Sequence, residues 1–523
     1  MTQRARPLLG AAASALILVL VGRLEAPWHW LTLVALAPWL WALSGASLRA
    51  AVGSAALLAA AFTAGAFFFV PPALAAYSGA PLWAAWIITL ILGPLIIQPQ
   101  LLAAAAARVL TARRGPVFAG AATALAYLGA EWALPKLFGD TLGYALYPSA
   151  ALRQGAELAS GPGLTLLCLA VTECVVLGLR GRRAALGLAV ALVAAAAGLG
   201  GLRLRAVEAQ TRAASSFTAG VVQANITAYD KLAAEQGTFE TVRQILDAHV
   251  ALSRSLTTPG PLDLLVWPET VYPTTFGAPR SEEGAEFDRQ IAAVALQAPL
   301  VFGAFEESAA GEHNAAFFLE RGGLAWDAYR KTRLFPLTEH LPSWLDLPAF
   351  RRALPWAGHW QPGPGPRALP VRLRDGTVLQ VAPLICYEAL DAGYVAQAAR
   401  KAQVLLTLSN DGWWPGERGP RLHLILAAFR SVETRLPQIR ATNSGISALV
   451  LPSGELIAAT EFGTRAGLRL RVPRMARSSP LARGDWLGPL ALIGCALLLA
   501  LARRQRGKAT GSGPSDPPPR IAV

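Results

Sequence analysis

The chain has 523 residues, of which 54% are hydrophobic and only 15% charged, with a net charge of +14 and a mean hydropathy of +0.40. This composition is too apolar for an ordinary soluble enzyme and indicates membrane spans, while the length leaves room for a sizeable soluble domain. The basic excess does not indicate a nucleic-acid-binding protein, because the sequence contains no zinc-finger spacing, no RNA-binding signature and no long basic helix.

Apolar stretches near bilayer length predict about eight membrane-spanning helices. Seven cover 6–22, 28–45, 49–71, 82–107, 115–134, 160–180 and 184–202, and an eighth covers 485–502. The first two could instead be two short helices or one broken re-entrant unit. We therefore predict an N-terminal membrane domain over 1–205, a C-terminal transmembrane helix over 485–502 and a basic, then disordered, tail over 503–523.

The arginines between these stretches predict the orientation of the chain, because basic loops mark the cytoplasmic side. Basic residues precede the first stretch and follow the second, fourth, sixth and eighth, whereas the loops after the third and fifth carry few. They are Arg4, Arg6, Arg49, Arg108, Arg113, Arg114, Arg180, Arg182, Arg183, Arg503, Arg504, Arg506 and Lys508. Both termini are therefore predicted in the cytoplasm, with the domain over 206–484 on the opposite side.

Residues 206–484 alternate short apolar runs with longer amphipathic ones, which predicts an α/β domain. The predicted strands are 217–223, 262–267, 299–305, 315–320, 378–385, 403–409 and 446–451. The predicted helices are 235–256, 284–297, 390–402 and 420–435.

Three apolar strands of this domain end in ionisable residues of complementary type. Glu269 follows the run LLVWP, Lys331 follows AYR and Cys386 follows VAPLI. A thiol can form an acyl intermediate, a carboxylate can take its proton, and a lysine can stabilise the oxyanion formed when a carbonyl is attacked. This set of residues supports acyl transfer without histidine.

Each of the three residues also has an interpretation without catalysis. A lone free cysteine is most often a small buried hydrophobe, a Glu after a Trp-Pro turn is usually a capping or loop residue, and a Lys beside arginines is usually a surface charge. Taken singly, each of these interpretations is favoured. The combination at the ends of separate strands in one domain favours an active site.

With these motifs the sequence resembles the nitrilase, or carbon–nitrogen hydrolase, superfamily. The residues that carry the resemblance are the WPE of 267–269, Lys331 with its Lys-x7-Glu-x2-Pro pattern, and the CYE of 386–388. The stretches VVQANI, SNDGWW and RATNSGIS are similar as well. Together with membrane spans on both sides of the domain, the chain resembles the apolipoprotein N-acyltransferase family of bacterial inner membranes over nearly its full length.

The resemblance implies an αββα sandwich on an eight-helix base, with the catalytic domain in the periplasm. It implies that Glu269 is the general base, Lys331 the oxyanion stabiliser and Cys386 the nucleophile. The positions of Glu339 and Glu388 match supporting carboxylates, and Tyr387 matches an aromatic residue beside the nucleophile.

The implied reaction has two lipid substrates and a thioester on Cys386. The resemblance implies that the acyl donor is a phospholipid, and the donor used in the family is phosphatidylethanolamine. The implied acceptor is the α-amine of a diacylated apolipoprotein. No cofactor or metal is expected, since the amide forms downhill from a thioester and the six histidines lack metal-ligand spacing.

Aromatic residues of the predicted domain suit contact with lipid at the membrane interface. In the segment 341–360 they include Trp344, Trp356 and Trp360, and this segment is interpreted either as a lipid-facing arm or as core packing. The same choice exists for Trp413 and Trp414, for which we favour the site.

Three positions depart from the family pattern: Leu232, where a tryptophan is frequent, His313 and His340. Glu173, which lies within a predicted span, is expected to be protonated or paired with Arg153 or another polar group. A Ser409–Asp411–His423 triad is given little weight, because no GxSxG motif is present.

Two other functions compete with acyl transfer between lipids. One is a membrane-bound C–N hydrolase, an amidase or nitrilase, that uses the same residues with water as the acceptor. The other is a scaffold or transporter with a non-catalytic domain. The eight-span base argues against the first, and the presence of all three of Glu269, Lys331 and Cys386 argues against the second.

Overall fold

The structure is a computed structural model that describes residues 5–226, 239–279, 281–343, 345–354 and 356–510. Leu232 and Trp344 lie outside the described residues. The helices are α1 Ala5–Val21, α2 Ala37–Ala42, α3 Leu48–Ala66, α4 Val70–Ser78, α5 Leu82–Leu92, α6 Gln100–Thr111, α7 Pro116–Ala133, α8 Ala156–Leu179, α9 Ala184–Ala213, α10 Phe239–Thr257, α11 Glu282–Val294, α12 Pro348–Ala353, α13 Ala392–Ala399, α14 Arg418–Thr434 and α15 Leu487–Thr510.

The membrane-type part of the molecule contains fewer long apolar helices than the eight expected spans. Within the described residues, four helices are long and apolar enough to cross a membrane, over 48–66, 152–179, 184–213 and 487–504. The pair formed by 82–97 and 100–114 bends by 56° and would make a fifth. Gly93, Pro94 and Pro99 explain this bend, since proline removes a helical hydrogen bond.

The prediction of one spanning helix over 28–45 is wrong. This stretch forms a 3-10 segment over Trp28–Leu33 followed by the six-residue α2, which begins at Ala37 with Pro38 in its first turn. Proline favours the start of a helix and disfavours its continuation from the preceding turn. The other interpretation, that 6–22 and 28–45 are separate short helices, fits this arrangement better.

Helices α9 and α15 both extend past the predicted domain borders. The helix predicted over 184–202 continues to Ala213, and the C-terminal one continues from Leu487 to Thr510 through Arg503 and Arg504. Arginine and lysine are good helix formers, so the charged ends prolong the helices beyond their apolar segments.

The second domain contains thirteen described strands in two sheets. They are β1 Ser216–Gln223, β2 Leu264–Val266, β3 Tyr272–Thr275, β4 Leu300–Ser308, β5 Gly311–Leu319, β6 Ala325–Arg330, β7 Leu369–Arg372, β8 Val378–Ile385, β9 Val404–Ser409, β10 Gln438–Thr442, β11 Ala448–Val450, β12 Leu456–Ala459 and β13 Ala466–Pro473. One sheet has the order β13-β1-β2-β4-β5-β6, with β3 beside β4, and the other has the order β12-β11-β10-β9-β8-β7.

The two sheets pack face to face around one apolar core. Val221 and Val266 of the first sheet and Val381 and Leu406 of the second are all almost fully buried in it. Helices α10 and α11 cover the outer face of the first sheet, and α13 and α14 pack against the second. This arrangement confirms the αββα sandwich expected from the resemblance.

The parallel strands of each sheet bring the predicted site residues to one region. β1, β2 and β4 are parallel in the first sheet, and β8, β9 and β10 are parallel in the second. Because functional residues gather at the carboxyl ends of parallel strands, Glu269 after β2 and Cys386 after β8 are placed at corresponding ends.

Candidate active site

Glu269 and Lys331 form a buried ion pair. Lys331 Nζ lies 3.1 Å from Glu269 Oε1 and 2.7 Å from Glu339 Oε1, and the lysine side chain is only 1% exposed. Burial by itself lowers the pKa of Lys331, but the two carboxylates more than reverse this, so that its pKa is well above the usual value. Lys331 is therefore a fixed cation at neutral pH.

Two further donors orient the Glu269 carboxylate. Asn314 Nδ2 donates to Oε1 over 2.8 Å, and the backbone N–H of Asn410 donates to Oε2 over 2.8 Å. Gly303 of β4 packs against the backbone at Glu269, where a Cβ would approach to within 2.4 Å of the Thr270 nitrogen. The carboxylate is thus held from both sheets, since Asn410 follows β9 and Asn314 lies on β5.

Cys386 occupies a strained turn at the end of β8. Its φ of +50° lies in the left-handed region, which residues other than glycine rarely adopt, and a 3-10 turn over Cys386–Leu390 follows it. Strained backbone of this kind is frequent at active sites, where surrounding contacts hold it in place. The turn carries the thiol out of the strand and into a cleft that the Cys386 side chain lines.

Glu388 holds this turn from inside the protein. Its carboxylate accepts hydrogen bonds from the backbone N–H groups of Ile385 and Thr332, each over 2.7 Å, and from the Tyr329 hydroxyl over 2.9 Å. Burial raises the pKa of Glu388, although these hydrogen bonds oppose the rise. Glu388 therefore ties the cysteine turn to the residue that follows Lys331.

The thiol of Cys386 is protonated at rest. Burial raises its pKa far above the ordinary value, Glu269 adds to the rise, and Lys331 only partly opposes it. The lysine thus does not fully offset the neighbouring carboxylates. A thiol in this state needs a base to remove its proton during attack on an electrophile.

An Asp411–His423 pair supports the turn from another side. His423 Nδ1 lies 3.0 Å from Asp411 Oδ1, and His423 Nε2 lies 3.2 Å from the carbonyl oxygen of Cys386. Although burial opposes it, the charges of His423 and Arg440 lower the pKa of Asp411 to about 2. Ser409 is fully buried and donates to Asp411, so these residues do not form a serine nucleophile site.

Aromatic side chains from both parts of the molecule surround the thiol. Trp413 and Trp414 stack at 3.7 Å between ring centroids, and Phe69 of the membrane domain meets Trp414 edge-on at 5.0 Å. Together with Phe138 they line an apolar cleft of about 440 Å³ that includes Cys386. The structure thus brings both predicted tryptophans to the cleft that Cys386 lines.

Tyr387 connects the cysteine turn to the membrane domain. Its hydroxyl donates to the carbonyl oxygen of Leu137 over 3.1 Å, and its ring meets Phe335 edge-on. In the same contact, Gly139 packs against the Leu390 carbonyl so closely that a Cβ would lie 2.8 Å from that oxygen.

The segment 341–360 contains both buried and exposed apolar residues. Leu341 is buried and Trp360 packs on Phe305 at 4.4 Å, whereas Leu347 is 50% exposed and Phe350 is 41% exposed. The middle of the segment therefore exposes apolar side chains, while Leu341 and Trp360 near its two ends pack on the domain.

Glu173 is paired with another polar group inside the bundle, which is one of the alternatives expected from the sequence. Its partner is Arg108 of α6 and not Arg153. Arg153 instead donates to the carbonyl oxygen of Ser453 and to that of Tyr147, which joins the membrane domain to the loop after β11.

The residues that the sequence analysis missed are mostly hydrogen-bonding partners rather than charged groups. Asn314 and Asn410 donate to Glu269, and Tyr329 donates to Glu388. His423, which the sequence analysis considered only as part of a serine triad, contacts the cysteine turn. Asn410 lies within the SNDGWW stretch, whose similarity to the family could have indicated a role at the site. Tyr329 has no such motif around it. Among the described residues, no group of three or more His, Cys, Asp or Glu could hold a metal ion.

Comparison with known proteins agrees with this architecture. The family model described as carbon–nitrogen hydrolase matches residues 218–468, and the one described as apolipoprotein N-acyltransferase N-terminal domain matches 14–174. The apolipoprotein N-acyltransferase of Caulobacter vibrioides is 31% identical over 430 residues, covering 78% of this chain and 76% of the relative. That of Sinorhizobium medicae is 31% identical and covers 68% and 67%.

Among solved structures, an amidase from Nesterenkonia sp. aligns with 50% of this chain and 91% of its own, at 19% identity and a TM-score of 0.35. The sequence relationships extend over both the membrane-type and the sandwich domains. The chain therefore belongs to the apolipoprotein N-acyltransferase family and is an acyltransferase with a carbon–nitrogen hydrolase domain.

Proposed function

We propose that this protein moves an acyl chain from a phospholipid to the N-terminal α-amine of the diacylglyceryl-cysteine of an apolipoprotein. Phosphatidylethanolamine is the proposed donor, and a thioester on Cys386 is the proposed intermediate. The observation that carries the proposal is the position of Cys386, which lines an apolar cleft walled by both domains beside the Glu269–Lys331 pair. Membership of the family supports lipoprotein N-acylation as the overall reaction.

In the first half-reaction, Glu269 takes the thiol proton as Cys386 attacks the ester carbonyl of the donor. The C–O bond of the ester then breaks, and Glu269 gives the proton to the leaving oxygen, so that the lysophospholipid departs as an alcohol and Glu269 is again ionised. This assignment follows from the raised pKa of the thiol, which makes a base necessary, and from the electrostatic effect of Glu269 on that thiol.

In the second half-reaction, the neutral α-amine of the acceptor attacks the thioester carbonyl. Glu269 accepts the amine proton, the C–S bond breaks and the thiol re-forms as the amide leaves. Atoms and charge balance without ATP or a metal ion. Because one product leaves before the second substrate reacts, the kinetics are expected to be ping-pong.

Lys331 is assigned to the oxyanion that forms in both halves. An ammonium group has three N–H donors, and two of those on Lys331 are directed at Glu269 and Glu339. The third is assigned to the substrate oxygen. Because its partners hold the group rigidly, no reorganisation is needed when charge develops on the carbonyl oxygen, which is the main source of catalysis at such sites.

Glu339 and Glu388 are assigned positioning roles. Glu339 binds Lys331 and accepts a hydrogen bond from the backbone of Phe335 over 2.7 Å, so that it fixes the lysine relative to the cleft wall. Glu388 holds the strained turn of Cys386. Neither is placed at the reacting atoms.

The proposed orientation puts the catalytic domain in the periplasm and both termini in the cytoplasm. Arg180 bonds Ser44, and Arg114 bonds the carbonyl oxygen of Leu501, so basic helix ends gather at one end of the bundle. The catalytic domain contacts other helix ends, at Gly22 and Leu137. Arginine-rich loops favour the cytoplasmic side.

Reporter cysteines can test this orientation. Ala184→Cys and Arg374→Cys lie at exposed sites on the two sides. An impermeant maleimide added to intact spheroplasts should label Arg374→Cys and spare Ala184→Cys, and the reverse pattern would overturn the topology.

The reaction itself is tested with purified protein in liposomes that contain acyl-labelled phosphatidylethanolamine and a diacylglyceryl-cysteine peptide. We expect the label on the peptide amine and, without peptide, a hydroxylamine-labile label on the protein. Cys386→Ala should lose both, whereas Cys495→Ala, which removes a thiol from α15, should retain both. Transfer by Cys386→Ala, or release of free fatty acid as the main product, would refute the proposal.

A further inference from the structure

A second cavity lies beside the cleft of Cys386, between the membrane domain and α14 of the sandwich domain. We call it the inner chamber. The space between its lining side chains, including the part open to solvent, is about 720 Å³, and its walls come from α1, α3, α6, the segment 140–145 and the start of α14. The side chains of Phe69, Leu422 and Leu426 line both the chamber and the cleft. The two spaces are therefore neighbours separated by shared side chains rather than by a wall of their own.

We propose that the inner chamber holds the distal end of the fatty acyl chain while its carboxyl carbon is bound to Cys386, and that the chamber thereby selects chain length. This inference rests on the proposed function and identifies where the acyl group of that reaction lies. The chamber is the natural extension of the cleft, because a chain attached at Cys386 meets Leu422 and Leu426 before it reaches the chamber.

The chamber has the chemistry that suits an alkyl chain. Most of its surface is apolar, and it includes Leu18, Leu36 and Leu101, which do not line the cleft. Apolar cavities in proteins stay dry and accept apolar ligands, since water gains too few hydrogen bonds there. An alkyl chain could fill this space without burying an unpaired polar group of its own.

The polar side chains at the chamber already have partners within the protein. Gln98 donates to Asp140 over 2.9 Å, and Lys136 lies 3.5 Å from the other oxygen of Asp140. Arg418 donates to the carbonyl oxygens of Gly22 and Arg23. Asp140 Oδ1 has no hydrogen-bond partner among the described residues, and the nearby charge of Lys136 compensates it instead. The mostly apolar remainder of the lining favours an alkyl chain over a lipid headgroup or a peptide amine as the occupant.

The far side of the chamber belongs to the packed core of the bundle. Leu36 and Leu101 are each 2% exposed, and Leu18 is 4% exposed. A chain that reaches these residues cannot extend further without displacing core packing, which is costly in a close-packed interior. The chamber thus sets an upper limit to chain length.

The test narrows the chamber and compares donors that differ only in acyl length. Ala145 and Ala66 line different walls of the chamber and neither lines the cleft. Ala145→Leu and Ala66→Leu therefore shorten the available space at two independent points. Ala12→Leu adds the same atoms on an exposed face of α1 and is the matched control. The donors are phosphatidylethanolamines with palmitoyl or dodecanoyl chains, and only monodisperse variants are compared.

We expect either chamber variant to lower the ratio of kcat/KM for the palmitoyl donor to that for the dodecanoyl donor by about 10-fold or more, because a methylene that no longer fits has an effect of that order. Ala12→Leu should keep the wild-type ratio. An unchanged ratio in both chamber variants, or an equal fall for both donors, would overturn the inference.

The outcome also separates this inference from the proposed function. If the wild type forms a hydroxylamine-labile acyl label with both donors while the variants keep the wild-type ratio, only the chamber assignment fails. If the wild type forms no such label with either donor during turnover, the thioester fails and the chamber assignment fails with it.

Discussion

The polar and the apolar surroundings of Cys386 differ in where their residues come from. The polar group near the thiol, which we call the polar wall, is formed by Glu269, Asn314, Lys331 and Glu339. It comes only from the sandwich domain and is joined by hydrogen bonds. The apolar wall, formed by Phe69, Phe138, Trp413 and Trp414, comes from both domains and is held by ring packing.

Under the proposed function, this difference would separate residues that act in the chemical step from residues that bind the lipid. The polar wall depends on bond geometry within about 3 Å, so small changes there should alter the chemical step. The apolar wall depends on buried area and adapts to changes in side-chain shape, so changes there should alter lipid binding. Polar-wall variants are thus expected to lower kcat, and apolar-wall variants to raise KM for the phospholipid.

The largest effect is expected from Lys331→Met. It removes the cation that holds Glu269 and Glu339 and is assigned to the oxyanion, so kcat should fall by about 10²–10³. Breaking a buried ion pair also costs about 3–5 kcal/mol of stability. Single-turnover acylation and thermal unfolding in detergent measure the two effects.

A matched control is Lys401→Met, which removes an exposed lysine of the same domain. It should keep both the rate and the unfolding temperature. A Lys331→Met protein that is folded and acylates Cys386 at the wild-type rate would contradict the oxyanion assignment.

The second-largest effect is expected from Asp411→Asn, which should lower the free energy of unfolding. The pKa of Asp411, at about 2, lies below the ordinary carboxyl value of 3.8, so its ionised form stabilises the folded state above about pH 4, and this stabilisation is lost as the pH falls towards 2. Asp411→Asn should therefore lose about 2 kcal/mol at pH 7, by the size of that shift.

The stability difference between wild type and Asp411→Asn should shrink as the pH is lowered from 5 to 3, as followed by thermal unfolding in detergent. Asp375→Asn, at an exposed turn, provides the comparison and should show little loss at pH 7. A difference for Asp411→Asn that stays constant down to pH 2 would show that packing, and not charge, accounts for the role of Asp411.

The apolar wall is tested at Trp413, which is partly exposed and stacks on Trp414. Trp413→Ala removes a large apolar surface from the cleft, and we expect KM for the phospholipid to rise about 5- to 20-fold, equivalent to about 1–2 kcal/mol of lost burial. kcat should change by less than KM.

Trp413→Phe retains an aromatic ring and should recover most of the loss. Steady-state kinetics with a series of donor concentrations in mixed micelles give both constants. If Trp413→Ala lowered kcat and left KM unchanged, the division between the two walls would be wrong at this residue.

The smallest effect is expected at the contact between the two domains. Tyr387→Phe removes the hydrogen bond from the Tyr387 hydroxyl to the Leu137 carbonyl oxygen but keeps the ring against Phe335. A single hydrogen bond of this kind contributes about 1 kcal/mol, so activity should fall by about 5-fold. Tyr387→Leu, which also removes the ring, should lose clearly more acyltransferase activity than Tyr387→Phe. Equal losses of activity in the two variants would show that the hydroxyl alone matters.

The sandwich fold and the polar wall could be predicted from sequence because both leave local signals. Strand β8 is found over the same residues as predicted, 378–385, since its apolar run is continuous and ends at a clear turn. Glu269, Lys331 and Cys386 have motifs around them, and the proposed chemistry requires specific residue types at strand ends. Edge strands such as β7 and β12 were missed, because four-residue strands with half-exposed faces leave little pattern.

The apolar wall and the membrane domain were predicted less well. Phe69 and Phe138 reach the cleft only because two distant segments fold together, and no local pattern marks them among the many apolar residues of the chain. Proline and glycine break several apolar stretches, so hydropathy alone overestimated the number of uninterrupted helices.

The central claim, that the acyl group passes through Cys386, is tested most directly by a chase of preloaded enzyme. Protein incubated with labelled phosphatidylethanolamine alone and freed of donor should carry up to one acyl group per chain on Cys386, by intact mass and peptide mapping. Addition of the acceptor peptide should then move the label to its amine at least as fast as kcat. A label on another residue, or a label that remains on the protein while the acceptor is acylated during turnover, would contradict the account.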